Sequence, residues 1–260
     1  MRPVADLAAR SAELRGVFSD IDDTLTHDGA VVPEAYAALV RARAAGLRLV
    51  LVTGRPAGWA EVLASVWPVD AAIAENGGIA YLKRGRHLER IYFAPGDPTE
   101  DARRLAALSD AVLGEFPFAK KSDDSGLRIT DAAFDVGETQ HLTGDQIDAI
   151  TARSRALGAR TLVSSVHAHA AFHTADKALM SARVAHLLWG ETPEQTAEHY
   201  AFVGDSPNDQ AAFAFFHASI GVANVARYAA VLDPPPRYVT AAANGAGFAE
   251  AIDVILADRS

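Results

Sequence analysis

Asp20, Asp22 and Asp23 follow directly on the apolar stretch Gly16–Val17–Phe18, with only Ser19 and Ile21 between. Residues two apart on a strand point the same way, so Asp20 and Asp22 are expected to share one site. Carboxylates that close repel unless a cation lies between them or one holds a proton. A lone D-x-D is more often an acidic loop capping the next helix. A second cluster shifts that balance. Phe202–Val203–Gly204–Asp205–Ser206–Pro207–Asn208–Asp209 repeats the pattern of apolar strand, then carboxylates. If the two strands lie side by side, Asp20, Asp22, Asp205 and Asp209 converge. Such an all-oxygen cluster suits Mg²⁺, which keeps several waters and takes few protein ligands.

Two further pieces fit an anion facing that metal. Thr53–Gly54 ends a third apolar run and precedes a helix starting near Pro56. A hydroxyl and free backbone N–H groups there suit phosphate oxygens. Lys177 opens a later helix and adds a point positive charge. Each signal is weak alone. Arg55 and Asn76 are weaker candidates for contact with a bound molecule. Arg55 equally fits helix-start packing, and Asn76 a turn before Gly77–Gly78. Arg128 closes a polar stretch that begins at Lys120. His167 and His169 lie two apart on an expected strand and so face one side. Without an evident third ligand they fit a pocket or a polar sheet face better than a transition metal.

Alternating strands and helices must position these residues. Pro33–Ala45 and Pro56–Trp67 read as helices, and Arg48–Val52 and Ala71–Ala74 as strands. This rhythm implies a doubly wound, mainly parallel α/β core of Rossmann-like type. It breaks after about Leu82. Ile91–Phe93, Leu127–Ile129 and Thr161–Phe172 look like strands, with Thr99–Glu115 and Gly144–Leu157 as helices. The first rhythm resumes with a helix at Asp176–Leu188 and a strand at Tyr200–Val203. The expected organisation is a core formed by residues 1–82 and 172–260, with an α+β cap inserted at 83–171.

The chain has 260 residues, of which 50% are hydrophobic and 22% charged, enough to bury a sizeable core. A formal charge of −9 argues against general nucleic-acid binding, yet a few fixed cations and a metal can still hold an anion locally. The absence of cysteine excludes disulfides, thiolate zinc sites and a Cys nucleophile. No apolar run is long enough to span a membrane, and Met1–Arg15 does not read as a secretory signal. A cytoplasmic location is the expectation. Oligomeric state is not legible.

At these residues the sequence resembles the haloacid dehalogenase-like hydrolase superfamily. Its four motifs are matched in order by Asp20-x-Asp22-x-Thr24, Thr53–Gly54–Arg55, Lys177 and Gly204–Asp205-x-x-x-Asp209. The place of the insert, after Glu75–Asn76–Gly77–Gly78, resembles the Cof-like branch with its larger, type IIB α/β cap. Members of that branch are mostly phosphatases of sugar phosphates. The resemblance implies a Mg²⁺-dependent phosphatase of a small phosphorylated metabolite, with Asp20 as nucleophile and Asp22 as general acid and base. It implies Asp20 and Asp205 as metal ligands, with the Asp22 backbone carbonyl. Asp209 and Asn208 would hold metal-bound water or orient Lys177. Thr53, Gly54 and Lys177 would bind the phosphoryl group; apart from the resemblance, Arg128 and His167 are candidates for contact with the rest of the substrate, against a solvated loop for Arg128 and a polar sheet face for His167. A phosphotransferase or mutase, or a non-catalytic metabolite-binding module, are the alternatives. Ion-pumping relatives carry Thr where this chain has Asp22, and mutases usually carry a different cap.

Overall fold

The computed structural model describes all residues except Pro95, Gly96, Ser165, Asp258 and Ser260. In chain order the strands are Arg2–Pro3 (β1), Gly16–Ser19 (β2), Thr26–His27 (β3), Ala30–Val31 (β4), Arg48–Val52 (β5), Ala71–Ala74 (β6), Ile79–Arg84 (β7), His87–Tyr92 (β8), Asp131–Asp135 (β9), Arg160–Val163 (β10), His167–Ala171 (β11), Tyr200–Gly204 (β12), Ala218–Gly221 (β13) and Tyr238–Val239 (β14). The α-helices are Pro33–Ala44 (α1), Ala57–Val66 (α2), Pro98–Glu115 (α3), Gly144–Ala156 (α4), Lys177–Trp189 (α5), Pro193–His199 (α6), Gln210–Phe215 (α7) and Asn244–Leu256 (α8).

One sheet of nine strands runs β1-β14-β13-β12-β2-β5-β6-β7-β8. From β1 to β6 all neighbours are parallel, and β7 and β8 are added antiparallel. Every residue of β2, β6, β12 and β13 is buried. Short, continuously apolar runs are what a parallel strand covered on both faces requires. On one face Leu39 of α1, Ala60 of α2 and Phe248 of α8 join Val17 and Leu49 in a single core. On the other, Met180 and Val184 of α5 and Phe213 of α7 pack on Phe18, Val50 and Phe202. The doubly wound architecture expected from the β-α rhythm is therefore present. No helix among the described residues is long and apolar enough to cross a membrane.

A second sheet, β10-β11-β9, is antiparallel. Its Phe134, Ala168 and Ala170 pack against Leu108 and Val112 of α3 and Ile150 of α4. The register places Leu162 opposite His169, and His169 opposite Ala133. Arg160 lies opposite Ala171, and Ala171 opposite Asp131. These residues alternate with the packed ones, so they occupy the face turned away from α3 and α4.

Three expected elements differ. Ile91 and Tyr92 are in a strand, but it is β8, hydrogen-bonded through β7 to the large sheet. The expected division at 82/83 thus falls inside β7. Thr161–Phe172 is two strands, β10 and β11, paired with each other. Leu127–Ile129 is no strand: Ser125–Leu127 is a 3₁₀ turn, and the strand β9 begins at Asp131. The physical reason is that the backbone N–H groups of Ile129 and Thr130 donate to the Glu75 carboxylate rather than to a neighbouring strand.

Candidate active site

The topology reverses at β2. The chain first moves to β5 and β6 on one side, then crosses to β12 and β13 on the other. Ligands in open α/β sheets bind outside the carboxyl ends of strands at such a switch point. The parallel register sets Ser19 beside both Leu51 and Val203, so the next residues of all three strands emerge at one edge. Asp20 N–H donates to Val203 O at 2.9 Å, and Thr53 N–H to Ile73 O at 2.9 Å, which continues the ladder to the site residues.

Carboxylate oxygens of Asp20, Asp205 and Asp209 lie within 4.8 Å of one another, and all three residues are buried. Lys177, at the first turn of α5 and 1% exposed, donates to Asp20 Oδ1 at 2.6 Å and to Asp209 Oδ1 at 2.5 Å. Two glycines permit this approach. A side chain at Gly204 would meet Asp209 Oδ2 at 2.4 Å, where that oxygen accepts from the N–H groups of Asp205 and Ser206. Gly77 has φ +106°, and a Cβ there would lie 2.3 Å from Asp176 O, so the turn after β6 lies directly against the residue that caps α5.

This cluster is electrostatically incomplete. Burial pushes the Asp20 carboxyl well above its usual range; Lys177 opposes this, while Asp209, Asp205 and Asp22 add to it. Burial and then Asp209 push Asp205 up to about 8. Lys177 is pulled down by burial, but Asp20 and Asp209 more than reverse that, and the ammonium is retained. Three buried carboxylates around one ammonium fit a divalent cation held by oxygen, because added positive charge removes their mutual repulsion. Asp205 is further oriented by Asn224, whose Nδ2 donates to Asp205 Oδ2 at 2.9 Å and to Asp23 O at 3.0 Å.

The Asp22 carboxylate is not part of that cluster. It accepts from Arg55 Nε at 2.9 Å. Arg55 also donates through Nη1 to Glu138 Oε1 at 2.9 Å, on the loop after β9, and its guanidinium lies 4.9 Å from the centre of the Trp59 ring. Thr53 is fully buried, and its Oγ1 accepts from Arg55 N–H at 2.9 Å, which closes the turn at Gly54. Asn76 has φ +54° and sits against Gly54, 3.5 Å from Asn208 Nδ2.

Arg128 is brought to the same place but is saturated. Its guanidinium donates to Asp124, to Asp131 and to Gly54 O, and its side chain is 2% exposed. His167 Nε2 is paired with Glu138 Oε2 at 2.8 Å, and His169 Nδ1 with Asp131 Oδ2 at 2.8 Å. Glu75 ties the two sheets together. Its carboxylate accepts from Ala57 N–H at 2.8 Å, Ile129 N–H at 3.0 Å, Thr130 N–H at 2.5 Å and Asp131 N–H at 3.2 Å. Burial and then Asp131 raise this carboxyl to about 7. Asn224, Glu75, Asp124 and Glu138 were not singled out from sequence. Glu75 and Asn224 each left a signal there, as polar residues just past a short apolar strand.

The chain is similar to known proteins over most of its length. The model of a family described as haloacid dehalogenase-like hydrolase matches residues 17–106, which contain the first two motifs. The fold is that of a Thermoplasma acidophilum protein of 16% identity, with a TM-score of 0.73 over 93% of this chain and 98% of that one. It is also that of the sucrose-phosphatase from Synechocystis, solved with sucrose and phosphate, at 17% identity and TM-score 0.63 over 93% and 98%. A subclass IIB sugar phosphatase of the superfamily superposes with TM-score 0.63 at 16% identity, over 92% and 98%. No curated protein sequence matches the chain significantly. The family model bears out the resemblance to haloacid dehalogenase-like hydrolases, and the solved structures show the shared fold.

Proposed function

We propose that this protein is a Mg²⁺-dependent phosphatase that hydrolyses a small phosphate monoester, a sugar or polyol phosphate, through an aspartyl-phosphate on Asp20. The observation that carries this reading is the Asp20 carboxylate held between Lys177 and the Asp205–Asp209 pair, beside the Thr53–Gly54 turn. The small-sheet module serves as the cap. The likeness to sugar phosphatases supports the substrate class.

One Asp20 oxygen attacks phosphorus while the ester oxygen departs. Asp22 gives its proton to that oxygen, then takes one from the water that cleaves the aspartyl-phosphate. Thr53 Oγ1, the Gly54 N–H and Lys177 Nζ hold the phosphoryl oxygens, where transition-state charge is spread. Asp20 and Asp205 would hold Mg²⁺, with Asp209 fixing the loop and Lys177; a bound ion would supply positive charge against the phosphoryl group and relieve the carboxylate repulsion. Arg55 holds Asp22 at the mouth of the site.

The test is phosphate release from a panel of sugar and polyol phosphates, with p-nitrophenyl phosphate as a reactive control, in Mg²⁺ and in EDTA. Turnover in Mg²⁺ that EDTA abolishes is expected. Hydrolysis undiminished by EDTA, or transfer that requires an added alcohol acceptor, would overturn the assignment.

A further inference from the structure

Two adjoining cavities open in the cleft between the two sheets. The smaller, about 20 Å³, lies over the carboxylates and is lined by Asp20, Asp22, Gly54 and Arg55 among others. The larger, about 320 Å³, lies beside it between the small sheet and α7, with Leu162, Ala171, Ala211 and Ala214 in its walls. His169 and Asn208 line both and so mark their common boundary.

His169 is 5% exposed, on the face of the small sheet turned away from α3 and α4. A histidine satisfied as core structure would have both ring nitrogens partnered. Here Nδ1 is paired with Asp131, and Nε2 has no hydrogen-bond partner among the described residues. Asp131 also accepts from Arg128, so it stands as a carboxylate and the imidazole Nδ1 carries the proton between them. In a neutral ring of that tautomer Nε2 is an acceptor. His167, two residues earlier, lacks this freedom because its Nε2 is taken by Glu138. On the core side of the larger cavity, Asn76 Nδ2 is buried and unpartnered. An acceptor from the small sheet and a donor from the turn after β6 thus border one cavity, whose other walls carry Arg160, Thr161, Gln210 and Asp233 beside Leu162, Ala171, Ala211 and Ala214.

We propose that the larger cavity receives the alcohol half of the ester, and that His169 Nε2 accepts a hydrogen bond from one of its hydroxyls. The chain then selects hydroxylated alcohols over hydroxyl-free ones of the same size. This inference rests on the phosphatase reading above. Asp131 is the positioning residue: it fixes the tautomer and the ring plane, as carboxylates do for other functional histidines.

The test uses the full chain in Mg²⁺ with hydroxylated esters (glycerol 3-phosphate and glucose 6-phosphate) and hydroxyl-free ones (n-propyl phosphate and p-nitrophenyl phosphate). In His169→Asn the amide replaces Nδ1 but leaves nothing at the position of Nε2. KM for the hydroxylated esters rises about tenfold, the scale of one lost hydrogen bond, with kcat nearly unchanged and the hydroxyl-free esters unaffected. His169→Gln, which places an amide near Nε2, recovers most of the loss. Equal losses on both sets, no loss on either, or a Gln variant as poor as the Asn one overturns the assignment. If His169→Asn does not fold, the wild type decides: equal kcat/KM for glycerol 3-phosphate and n-propyl phosphate also overturns it. No turnover of any ester by wild type sinks the phosphatase reading and this inference with it, a result distinct from turnover without selectivity.

Discussion

Two acidic clusters face each other across the cleft, and their carboxyls are shifted in opposite directions. On the large sheet Asp20, Asp205 and Asp209 surround one ammonium, and burial drives Asp20 and Asp205 upward. On the facing side Asp131 is as dry and Asp124 is half-buried, yet both are held below their usual range, Asp131 at about 2. Burial opposes this, and Arg128 overcomes it, helped by His169 at Asp131 and Ser122 at Asp124. The difference lies in the cation. A guanidinium offers five donors in a fixed fork and satisfies two carboxylates and the Gly54 carbonyl at once. A single ammonium shared by Asp20 and Asp209 leaves Asp205 without a cation. The second cluster has its carboxylates matched by a cation of the chain, while the first keeps buried carboxylates that its one ammonium does not offset.

The comparison is broken most severely by Asp20→Asn. The amide keeps the shape but cannot attack phosphorus, so turnover falls by at least roughly 10³-fold. The same substitution removes one of three repelling carboxylates, so the metal-free protein is expected to unfold at no lower temperature than wild type. Steady-state phosphate release and thermal unfolding in EDTA test the two halves. Appreciable turnover by a protein free of wild type would show the nucleophile misassigned. A large drop in Tm would show the cluster to be a structural joint as well.

Arg128→Leu should do the reverse. It leaves Asp131 buried without that cation, and Asp124 with only Arg55 at 3.7 Å, at a cost of about 3 kcal/mol, or roughly 6–10 °C in Tm for a chain of this size. The residual activity of folded protein should fall on every ester alike. A loss confined to metabolite esters, at unchanged Tm, would instead make Arg128 a substrate contact.

Mg²⁺ sharpens the contrast further. At a hundredfold excess over its Kd, a ligand bound only by the folded state adds about 2.7 kcal/mol. Thermal unfolding should therefore move upward with Mg²⁺ in wild type and in Arg128→Leu, and much less in Asp205→Asn. A shift of equal size in Asp205→Asn would place the ion elsewhere.

The large-sheet cluster was legible in the sequence because each of its parts is local. A parallel strand buried on both faces reads as an apolar run, and the switch to polar residues at its end marks the site edge, as at Phe18–Asp20 and Val203–Asp205. The small-sheet joint was not legible in the same way. Glu75 meets backbone donors 54 to 56 positions away, and Asp131 reaches His169 across strands whose register no local pattern specifies. The apolar alternation at Leu127–Ile129 even suggested a strand where the backbone is drawn to Glu75. Arg128 and His167 stood out as polar residues in the right module. What they touch depends on Asp124, Asp131 and Glu138, which look in sequence like ordinary surface acids.

The smallest effect expected is the most direct test of the joint, because it has a pH signature. Asp131 ionises at about 2 in the folded chain against an ordinary 3.8. A depressed carboxyl stabilises the fold above its unfolded value, and that contribution is lost as pH falls through the folded one. The gap corresponds to about 2 kcal/mol. Asp131→Asn keeps the shape and removes the charge, so wild type should exceed the variant by about that amount at pH 7. The margin should hold down to about pH 4 and then shrink towards zero near pH 2. Urea unfolding of both proteins at several pH values measures it, provided that each still folds at the lowest one. Because Asp131 lies outside the metal cluster, the Mg²⁺-induced rise in Tm should be the same in both proteins. A difference that persisted undiminished at low pH would mean that Asp131 acts through packing and neutral hydrogen bonds. The small sheet's carboxylates would then not be the charge-satisfied counterpart of the cluster they face.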